Sequence, residues 1–196
     1  MEQAWEEAAA RFHNVAQRLW QRGLVSSSGG NLSLRVGGSN VVMIKPSGMA
    51  NVDCGAETLL GMDLEGNVVR GAGQPSKDAG FHLGIYRARP DVAGVVHAHG
   101  PWCTALGLLP CDEMPLPTPH ARDYLGRVPV VAYQPPGSAA LDEAVTEAFA
   151  AGVGAVLLAG HGLVTAGPSL SRAAQLAEMA EETAQVVLLA RLAGVT

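Results

Sequence analysis

The chain has 196 residues, of which 48% are hydrophobic and 16% charged, and its net charge at pH 7 is −5. This composition is typical of one soluble globular domain and excludes a disordered chain. No basic stretch indicates a nucleic-acid partner, no apolar run approaches the roughly 20 residues of a membrane span, and the three cysteines form no disulfide pattern. We therefore expect one cytoplasmic domain over residues 1–196 with no nucleic-acid or membrane partner.

The N-terminal part of the chain contains four predicted elements. Apolar residues at helical spacing predict an amphipathic helix over residues 2–22, and Gly23 is placed to end it. Alternating apolar and polar residues predict a half-buried strand at 32–36, and residues 41–44 are typical of a short buried strand. A hairpin is expected to turn at residues 65–67.

The middle of the chain alternates between helix and strand signals. A helix is predicted after residues 75–78, and it is expected to end at Arg89-Pro90-Asp91. The apolar run that follows feeds into two histidines and predicts a strand at 92–99. The proline-rich residues 116–124 are expected to form an irregular but ordered loop. Residues 128–131 predict an edge strand, because Pro129 cannot donate to a ladder.

The C-terminal part predicts two helices and two strands. A helix capped by Ser138 is expected at 138–150, a buried strand at 155–158, another strand at 163–165, and a long helix at 169–192. The whole order predicts one α/β domain in which a central mixed or antiparallel sheet is flanked by helices on both faces.

Three histidines form the most informative pattern. His97 and His99 are one residue apart on the predicted strand, so their side chains project from the same face. His161 lies between two glycines at the end of another strand. A lone His-x-His pair is more often structural, but three histidines at strand ends match an open zinc site with a free coordination position.

Lysine usage gives a second signal. Lys45 and Lys77 are the only lysines, and each lies beside proline and serine in a predicted loop. The loop at 26–31, rich in serine and glycine, is either a plain turn or a place where hydroxyl and backbone N–H groups meet an anion. These loops favour binding of an anion.

Five motifs follow one another along nearly the whole chain. They are Ser28-Gly29-Gly30-Asn31, Lys45-Pro46-Ser47-Gly48, Pro75-Ser76-Lys77-Asp78 with His82, Tyr86 and Arg89-Pro90, Val95-Val96-His97-Ala98-His99, and Leu158-Ala159-Gly160-His161-Gly162-Leu163. In this order they resemble the class II aldolase/adducin family, which includes fuculose- and rhamnulose-phosphate aldolases, ribulose-phosphate 4-epimerases, methylthioribulose-phosphate dehydratases and phosphotetronate decarboxylases. The resemblance implies a three-layer α/β/α fold.

The resemblance implies roles for particular residues. His97, His99 and His161 match the family's metal ligands, with Zn²⁺ expected and Mn²⁺, Co²⁺ or Fe²⁺ as alternatives. Asp78 matches the acidic residue that acts as acid/base or reaches the metal. The positions that match the phosphate-binding loops are Ser28, Gly29, Asn31, Ser47, Gly48, Ser76 and Lys77.

The implied activity is that of a metal-dependent lyase. The leading expectation is retro-aldol cleavage of a small phosphorylated ketose such as fuculose 1-phosphate, through a metal-stabilised ene-diolate. Ribulose-5-phosphate 4-epimerase and 3-oxo-tetronate 4-phosphate decarboxylase activity remain alternatives. Aldolases of the family usually have Glu where this chain has Asp78, the epimerases have Asp there, and Lys77 resembles the decarboxylase branch.

The resemblance also implies a homotetramer with active sites at subunit boundaries. The chain ends soon after its last helix, without the tail that carries a tyrosine to the neighbouring site in some relatives. We therefore expect the loop containing His120 and Arg122 to face the substrate. Two rival functions are an adducin-like scaffold, expected to lack the metal histidines, and an iron-dependent oxygenase. His82, four residues after Asp78, is expected to support the site from behind or to pack beside it rather than to be a ligand, and Cys103 is expected to be a small core residue.

Overall fold

The computed structural model describes residues 2–194, which form six α-helices and an eight-stranded sheet. The helices are α1 (Glu2–Gln21), α2 (Ala79–Ala88), α3 (Pro101–Leu106), α4 (Pro119–Leu125), α5 (Ala139–Ala150) and α6 (Leu170–Leu192). The strands are β1 (Asn31–Arg35), β2 (Val42–Ile44), β3 (Leu60–Met62), β4 (Val68–Arg70), β5 (Gly94–Ala98), β6 (Val130–Val131), β7 (Ala155–Leu158) and β8 (Gly162–Gly167).

The sheet is mixed and mostly antiparallel. Its order is β4-β3-β2-β1-β5-β8-β7-β6, and only the edge pair β6–β7 is parallel among these strands. In the centre, Asn31 of β1 lies opposite His97 of β5, and His97 lies opposite Val164 of β8. The register therefore brings the histidine strand between two strands that carry other candidate site residues.

Helices cover both faces of the sheet. Successive side chains of a strand point to opposite faces, so Val96 and Ala98 of β5 pack in the core beneath α1, α3, α4 and α6. Val95 packs in the second core, beneath α2 and α5. The predicted three-layer α/β/α architecture is confirmed, and His97 points to the same face as Val95.

Most predicted elements are present with nearly the expected bounds. The apolar stripe of residues 2–22 is the buried face of α1, and Gly23 follows it with φ +70°. Ser138 and Ser169 accept backbone N–H groups at the starts of α5 and α6. Such caps satisfy donors that the helix itself leaves unpaired.

Two local predictions were wrong. The strand predicted as half-buried is buried on both faces, because α2 covers the polar side and Ser33 is 0% exposed. The loop predicted at residues 116–124 contains α4. Thr118 caps this helix by accepting from the backbone N–H of Ala121, and Pro119 stands at the first position, where no N–H donor is needed.

Within residues 2–194, no helix has both the length and the apolar character needed to cross a membrane. The extent of the domain, residues 1–196, stays a prediction, because Met1, Val195 and Thr196 lie outside the described residues.

Candidate metal centre

The first two candidate ligands lie at the end of the central strand. His97 is the fourth residue of β5, and His99 follows the strand directly. The backbone N–H of His99 donates to the carbonyl of Leu24 at 2.9 Å, which continues the extended chain beyond β5. The two rings are on the same face, with centroids 4.7 Å apart. The alternation inferred from the sequence therefore places them together.

The third candidate ligand, His161, lies in the tight turn between β7 and β8. Its backbone N–H donates to the carbonyl of Leu158 at 3.0 Å, and Gly160 adopts φ +62°. Gly162 is needed for a different reason: a Cβ there would lie 2.3 Å from the carbonyl oxygen of Ala98. The two glycines let β8 approach β5 closely enough for His161 to reach the other imidazoles.

The three imidazoles converge. One nitrogen from each ring lies within 4.8 Å of one nitrogen from each of the others. Nitrogen ligands of a tetrahedral zinc are about 3.3 Å apart when each is about 2.05 Å from the ion. Only a small movement of the side chains would therefore be needed to bind one ion.

The hydrogen bonds around the rings also fit a bound cation. Nδ1 of His97 donates to the carbonyl of Leu163 at 3.0 Å, so Nε2 of the neutral ring has a free lone pair. This Nε2 is 3.0 Å from Nε2 of His99. Nδ1 of His161 is buried and has no hydrogen-bond partner among residues 2–194. A carbonyl that orients a ligating histidine is typical of metal sites.

The protonation state of the rings suits ligation as well. Burial lowers the pKa of His97, His99 and His161, and neighbouring imidazoles lower the pKa of the first two further. The ammonium group of Lys77 acts in the same direction on all three rings. Neutral imidazoles are the form that binds a metal.

Asp78, the residue before α2, brings a carboxylate to the cluster. Its side chain is buried, and Oδ2 lies 3.9 Å from Nε2 of His97. Oδ2 accepts a hydrogen bond from Nδ2 of Asn31 at 2.8 Å, whereas Oδ1 is buried without a partner in the described part of the chain. A buried acceptor with free lone pairs beside three imidazoles is suited to move a proton or to reach an ion.

A polar cavity of about 350 Å³ opens at this cluster. His99, His161 and Asp78 line it, while His97 lies deeper and is fully buried. Lys77 and the other candidate phosphate-binding residues line the same cavity, namely Ser28, Gly29, Asn31, Ser47, Gly48 and Ser76. The structure thus brings all seven candidates together next to the imidazoles. Their individual roles stay predictions.

The two lysines have different environments. Lys77 is exposed at the cavity, whereas Lys45 is 2% exposed and its Nζ donates to the carbonyls of Ser28 and Met49 at 3.1 and 2.7 Å. Burial lowers the pKa of Lys45. Lys45 therefore joins two loops of the cavity wall with two of its three N–H donors.

His120 and Arg122 do not line this cavity within the chain. Both lie on α4, where Arg122 donates to the carbonyls of Leu116 and Pro117, and His120 packs against Tyr124 with ring centroids 4.5 Å apart. His120 and Tyr124 instead border a separate cavity of about 550 Å³ near α3 and α6. A substrate-facing role for α4 would require the site of a neighbouring subunit.

Two supporting residues were not identified as such from the sequence. Asn51 donates to the carbonyl of Gly30, and Glu181 accepts the backbone N–H groups of Trp102 and Cys103 just after the histidine strand. No local pattern marks these long-range contacts. His82, which its four-residue spacing from Asp78 predicted to be a residue that supports the site or packs beside it, is bonded to Asn31.

Comparison with known proteins agrees with this geometry. The family model described as class II aldolase and adducin N-terminal domain matches residues 10–188. A 3-oxo-tetronate 4-phosphate decarboxylase from Pectobacterium atrosepticum is 36% identical over 188 residues, which cover 94% of this chain and 85% of that protein. An L-fuculose phosphate aldolase from Methanococcus maripaludis is 34% identical over 175 residues, which cover 89% of this chain and 93% of that protein.

A solved structure extends the likeness to three dimensions. The L-fuculose-1-phosphate aldolase from Thermus thermophilus matches with a TM-score of 0.83 at 31% identity, covering 94% of each chain. The fold and the convergent histidines define an α/β enzyme with a candidate metal centre. The chain belongs to the class II aldolase and adducin family, whose aldolases and decarboxylases are its relatives.

Proposed function

We propose that this protein is a divalent-metal-dependent lyase that breaks the bond between the α and β carbons of the carbonyl group in a small phosphorylated sugar or sugar acid. One observation carries the proposal: three convergent imidazoles lie beside the buried carboxylate of Asp78, at a cavity lined by small polar residues and Lys77. Family membership supports the same reaction class.

The proposed metal ligands are His97, His99 and His161, with Zn²⁺ as the first choice and Mn²⁺, Co²⁺ or Fe²⁺ as alternatives. Three neutral imidazoles with room for a further ligand are a donor set that catalytic zinc uses. A bound ion would supply positive charge that stabilises a substrate anion in the cavity.

The phosphate group would bind in the cavity wall beside the imidazoles. Ser28, Ser47 and Ser76 offer hydroxyl groups, Gly48 offers a backbone N–H group, and Lys77 offers a charge. Gly29 lies in the same wall, and its backbone N–H donates to the carbonyl of Ser26. Charge-assisted hydrogen bonds to phosphate are the strong ones in such a set. Asn31 completes the proposed wall, although both ends of its amide already make hydrogen bonds to Asp78 and His82.

Retro-aldol cleavage is the first candidate reaction. A base removes the proton of the substrate hydroxyl group on the β carbon, at one end of the bond that breaks. The carbon that carries this hydroxyl group becomes the carbonyl carbon of the released aldehyde. The electron pair of the broken bond stays with the other fragment, which then takes up a proton at carbon. Asp78 is the proposed group that moves protons at the reacting atoms, because Oδ1 is buried and has free lone pairs.

Decarboxylation of a 3-oxo-tetronate 4-phosphate is the second candidate, and the lysine at position 77 favours it. Lys77 stands next to Asp78, and the relative from Pectobacterium atrosepticum carries this activity in its name. Here the bond to the carboxylate carbon breaks, CO₂ leaves, and the remaining fragment again takes up a proton at carbon. Both reactions leave the same phosphorylated three-carbon hydroxyketone when the ketose carries its phosphate on C1.

A substrate panel tests the proposal. Purified protein loaded in turn with Zn²⁺, Mn²⁺ and Co²⁺ is incubated with fuculose 1-phosphate, ribulose 5-phosphate and a 3-oxo-tetronate 4-phosphate. Release of an aldehyde identifies the aldolase, release of CO₂ identifies the decarboxylase, and the corresponding unphosphorylated compounds should be poor substrates. Epimerisation of ribulose 5-phosphate without cleavage, or equal turnover of unphosphorylated compounds, would contradict the proposal.

We also propose a homotetramer in which α4 of one subunit, with His120 and Arg122, completes the cavity of the next. In a ring one surface meets a different surface of the neighbour, and both residues are exposed in the single chain. Light scattering after size exclusion tests the assembly, and a monomer at micromolar concentration would refute it. Mixed rings of Asp78→Asn and Arg122→Ala subunits should regain part of the activity only if the two residues serve one site from different chains.

The cytoplasm is the proposed location. Cys54, Cys103 and Cys111 are free thiols, and Cys54 and Cys103 are buried, which suits a reducing compartment.

A further inference from the structure

A chain of polar side chains runs from the candidate active site into the layer between α2 and β1. It consists of Asp78, Asn31, His82, Ser33 and Tyr86, each at most 3% exposed. Asp78, at the start of α2, is followed at four-residue intervals by His82 and Tyr86 of this helix, and Asn31 and Ser33 are two residues apart on β1. The polar stripe of the helix therefore faces the polar stripe of the strand.

Hydrogen bonds join all five side chains without a gap. The distances are 2.8 Å from Asn31 to Asp78, 2.6 Å from His82 to Asn31, 2.6 Å from Ser33 to His82 and 3.0 Å from Ser33 to Tyr86. Buried polar groups are costly unless they are paired. Each of these hydrogen bonds pairs a polar group that would otherwise be buried without a partner.

The carboxylate of Asp78 sets the direction of every link. An ionised carboxylate only accepts, so the amide NH₂ of Asn31 must face it and the amide oxygen must face His82. Nε2 of His82 therefore carries the proton, and Nδ1 accepts from the hydroxyl of Ser33. That hydroxyl then accepts from Tyr86. The neutral Nε2–H form of His82 is the one that satisfies all partners at once.

We propose that His82 is a positioning residue, which holds the Asn31 amide in the orientation that fixes the Asp78 carboxylate against the three histidines. The role deepens the proposed function and rests on it. Oδ2 of Asp78, the oxygen that Asn31 holds, lies 3.9 Å from Nε2 of His97. Without the His82 N–H, the Asn31 amide is anchored only by the carboxylate that it has to position.

Packing fixes the ring of His82 in turn. The ring stacks on that of Phe81, with centroids 4.9 Å apart and an angle of 19° between the planes. The ring is fully buried, so solvent does not compete for its two nitrogens. A side chain that is held by a stacked ring and by two hydrogen bonds has little freedom to move, which is what positioning of a reacting group requires.

The tautomer of His82 is the first test, and it does not depend on any activity. Long-range ¹H–¹⁵N NMR of the ¹⁵N-histidine-labelled protein should show His82 as neutral and protonated at Nε2 near pH 7. The spectrum of His82→Gln assigns the signal by its loss. A neutral ring protonated at Nδ1, or a doubly protonated ring, would overturn the proposal even if the protein proves to be a lyase.

Kinetics of three variants is the second test. His82→Leu removes the N–H donor, and kcat should fall by ~10²-fold, the loss that a small misplacement of a reacting group causes, with KM within about threefold. His82→Gln returns an amide N–H toward Asn31, and its kcat should be at least about tenfold higher than that of His82→Leu. Ile85→Ala, on the same buried helix, controls for lost packing. Its kcat, calculated per folded molecule, should stay within about threefold of the wild-type value.

The outcomes separate a positioning role from a structural one. The proposal is overturned if His82→Leu keeps the wild-type kcat, if the Gln variant is as slow as the Leu variant, or if Ile85→Ala slows kcat equally. Metal content is measured for each variant and should stay at the wild-type value, because His82 does not belong to the three ligands. If no substrate is turned over, the proposed function fails, and the NMR result alone decides whether His82 holds Asn31.

Discussion

The two lysines occupy similar sequence motifs but have different environments in the fold. Lys45 is buried and bonded to two carbonyls, whereas Lys77 is exposed at the candidate phosphate site. The sequence pattern, a lysine beside proline and serine, is the same for both. Only the distance to other loops, which local sequence does not encode, distinguishes them.

Replacement of Lys77 by Ala should weaken binding of a phosphorylated substrate. A charge-assisted hydrogen bond contributes about 1.5–3 kcal/mol, so KM should rise by roughly 10- to 100-fold while kcat changes by less than about threefold. Steady-state kinetics with the phosphorylated compound measures the effect. Arg11→Ala, which removes an exposed positive charge on α1, is the matched control. Unchanged KM in the Lys77 variant would contradict the assigned phosphate site.

At the scale of elements, the start of α3 depends on one carboxylate of α6. Oε1 and Oε2 of Glu181 accept the backbone N–H groups of Trp102 and Cys103, both at 2.9 Å. These are donors that the first turn of a helix leaves unpaired. Because α3 begins two residues after His99, this contact also supports the end of the histidine strand.

Glu181→Gln should therefore destabilise the fold, because one acceptor oxygen is replaced by an NH₂ group that faces a donor. We expect a loss of about 1–3 kcal/mol in the free energy of unfolding, measured by urea denaturation. Glu182→Gln alters the next residue, which is exposed, and should change stability by less than about 0.5 kcal/mol. Equal effects of the two substitutions would show that the contact at α3 contributes nothing.

The elements also show what the sequence could and could not predict. Periodicity identified α1 because it buries a regular apolar face, a continuous apolar run identified β2, and the capping residue Ser138 marked the start of α5. Such patterns failed for α4, where four prolines in residues 110–119 suggested a loop although Pro119 occupies the one helical position that tolerates it. They also failed for the polar face of β1, whose burial depends on α2, some 50 residues away.

The whole molecule should lose stability in acid when no metal is bound. Burial lowers the pKa of His82 to about 3, and it also lowers the pKa of the three candidate ligands. A histidine in the unfolded chain has a pKa of about 6.5, so below this pH its ring binds a proton that the buried ring of the folded chain does not. The free energy of unfolding therefore falls as the pH falls toward 3. His82 alone should contribute about 1.4 kcal/mol per pH unit in this window.

Urea denaturation of metal-free protein between pH 5 and 8 measures this dependence. The free energy of unfolding should be nearly constant at the upper end and decline below about pH 6.5. His82→Gln lacks the buried imidazole, so its decline should be shallower than that of the wild type. A decline of the same steepness in both proteins would show that His82 does not titrate between the two states as expected.

The sequence could predict those residues of the candidate site that lie in short, recognisable motifs. His97 lies on β5, His99 directly follows that strand, and Asp78 precedes α2, the helix before it in the chain, so pattern and family resemblance identified the three residues together. His161 joined the set through its glycine turn. The position of α4 outside the cavity was not predictable, because the place of this helix depends on its packing against α6, which local sequence does not encode.

The central claim, that His97, His99 and His161 bind one catalytic ion, is tested most directly by measuring bound zinc per chain alongside turnover. Wild-type protein should bind about one Zn²⁺, lose activity when the ion is removed and regain it when zinc returns. His161→Ala should bind little zinc and lose about 10³-fold or more in kcat, since a catalytic metal contributes several kcal/mol, while His13→Ala on the exposed side of α1 should match the wild type. Full zinc occupancy and normal turnover in His161→Ala would contradict the account.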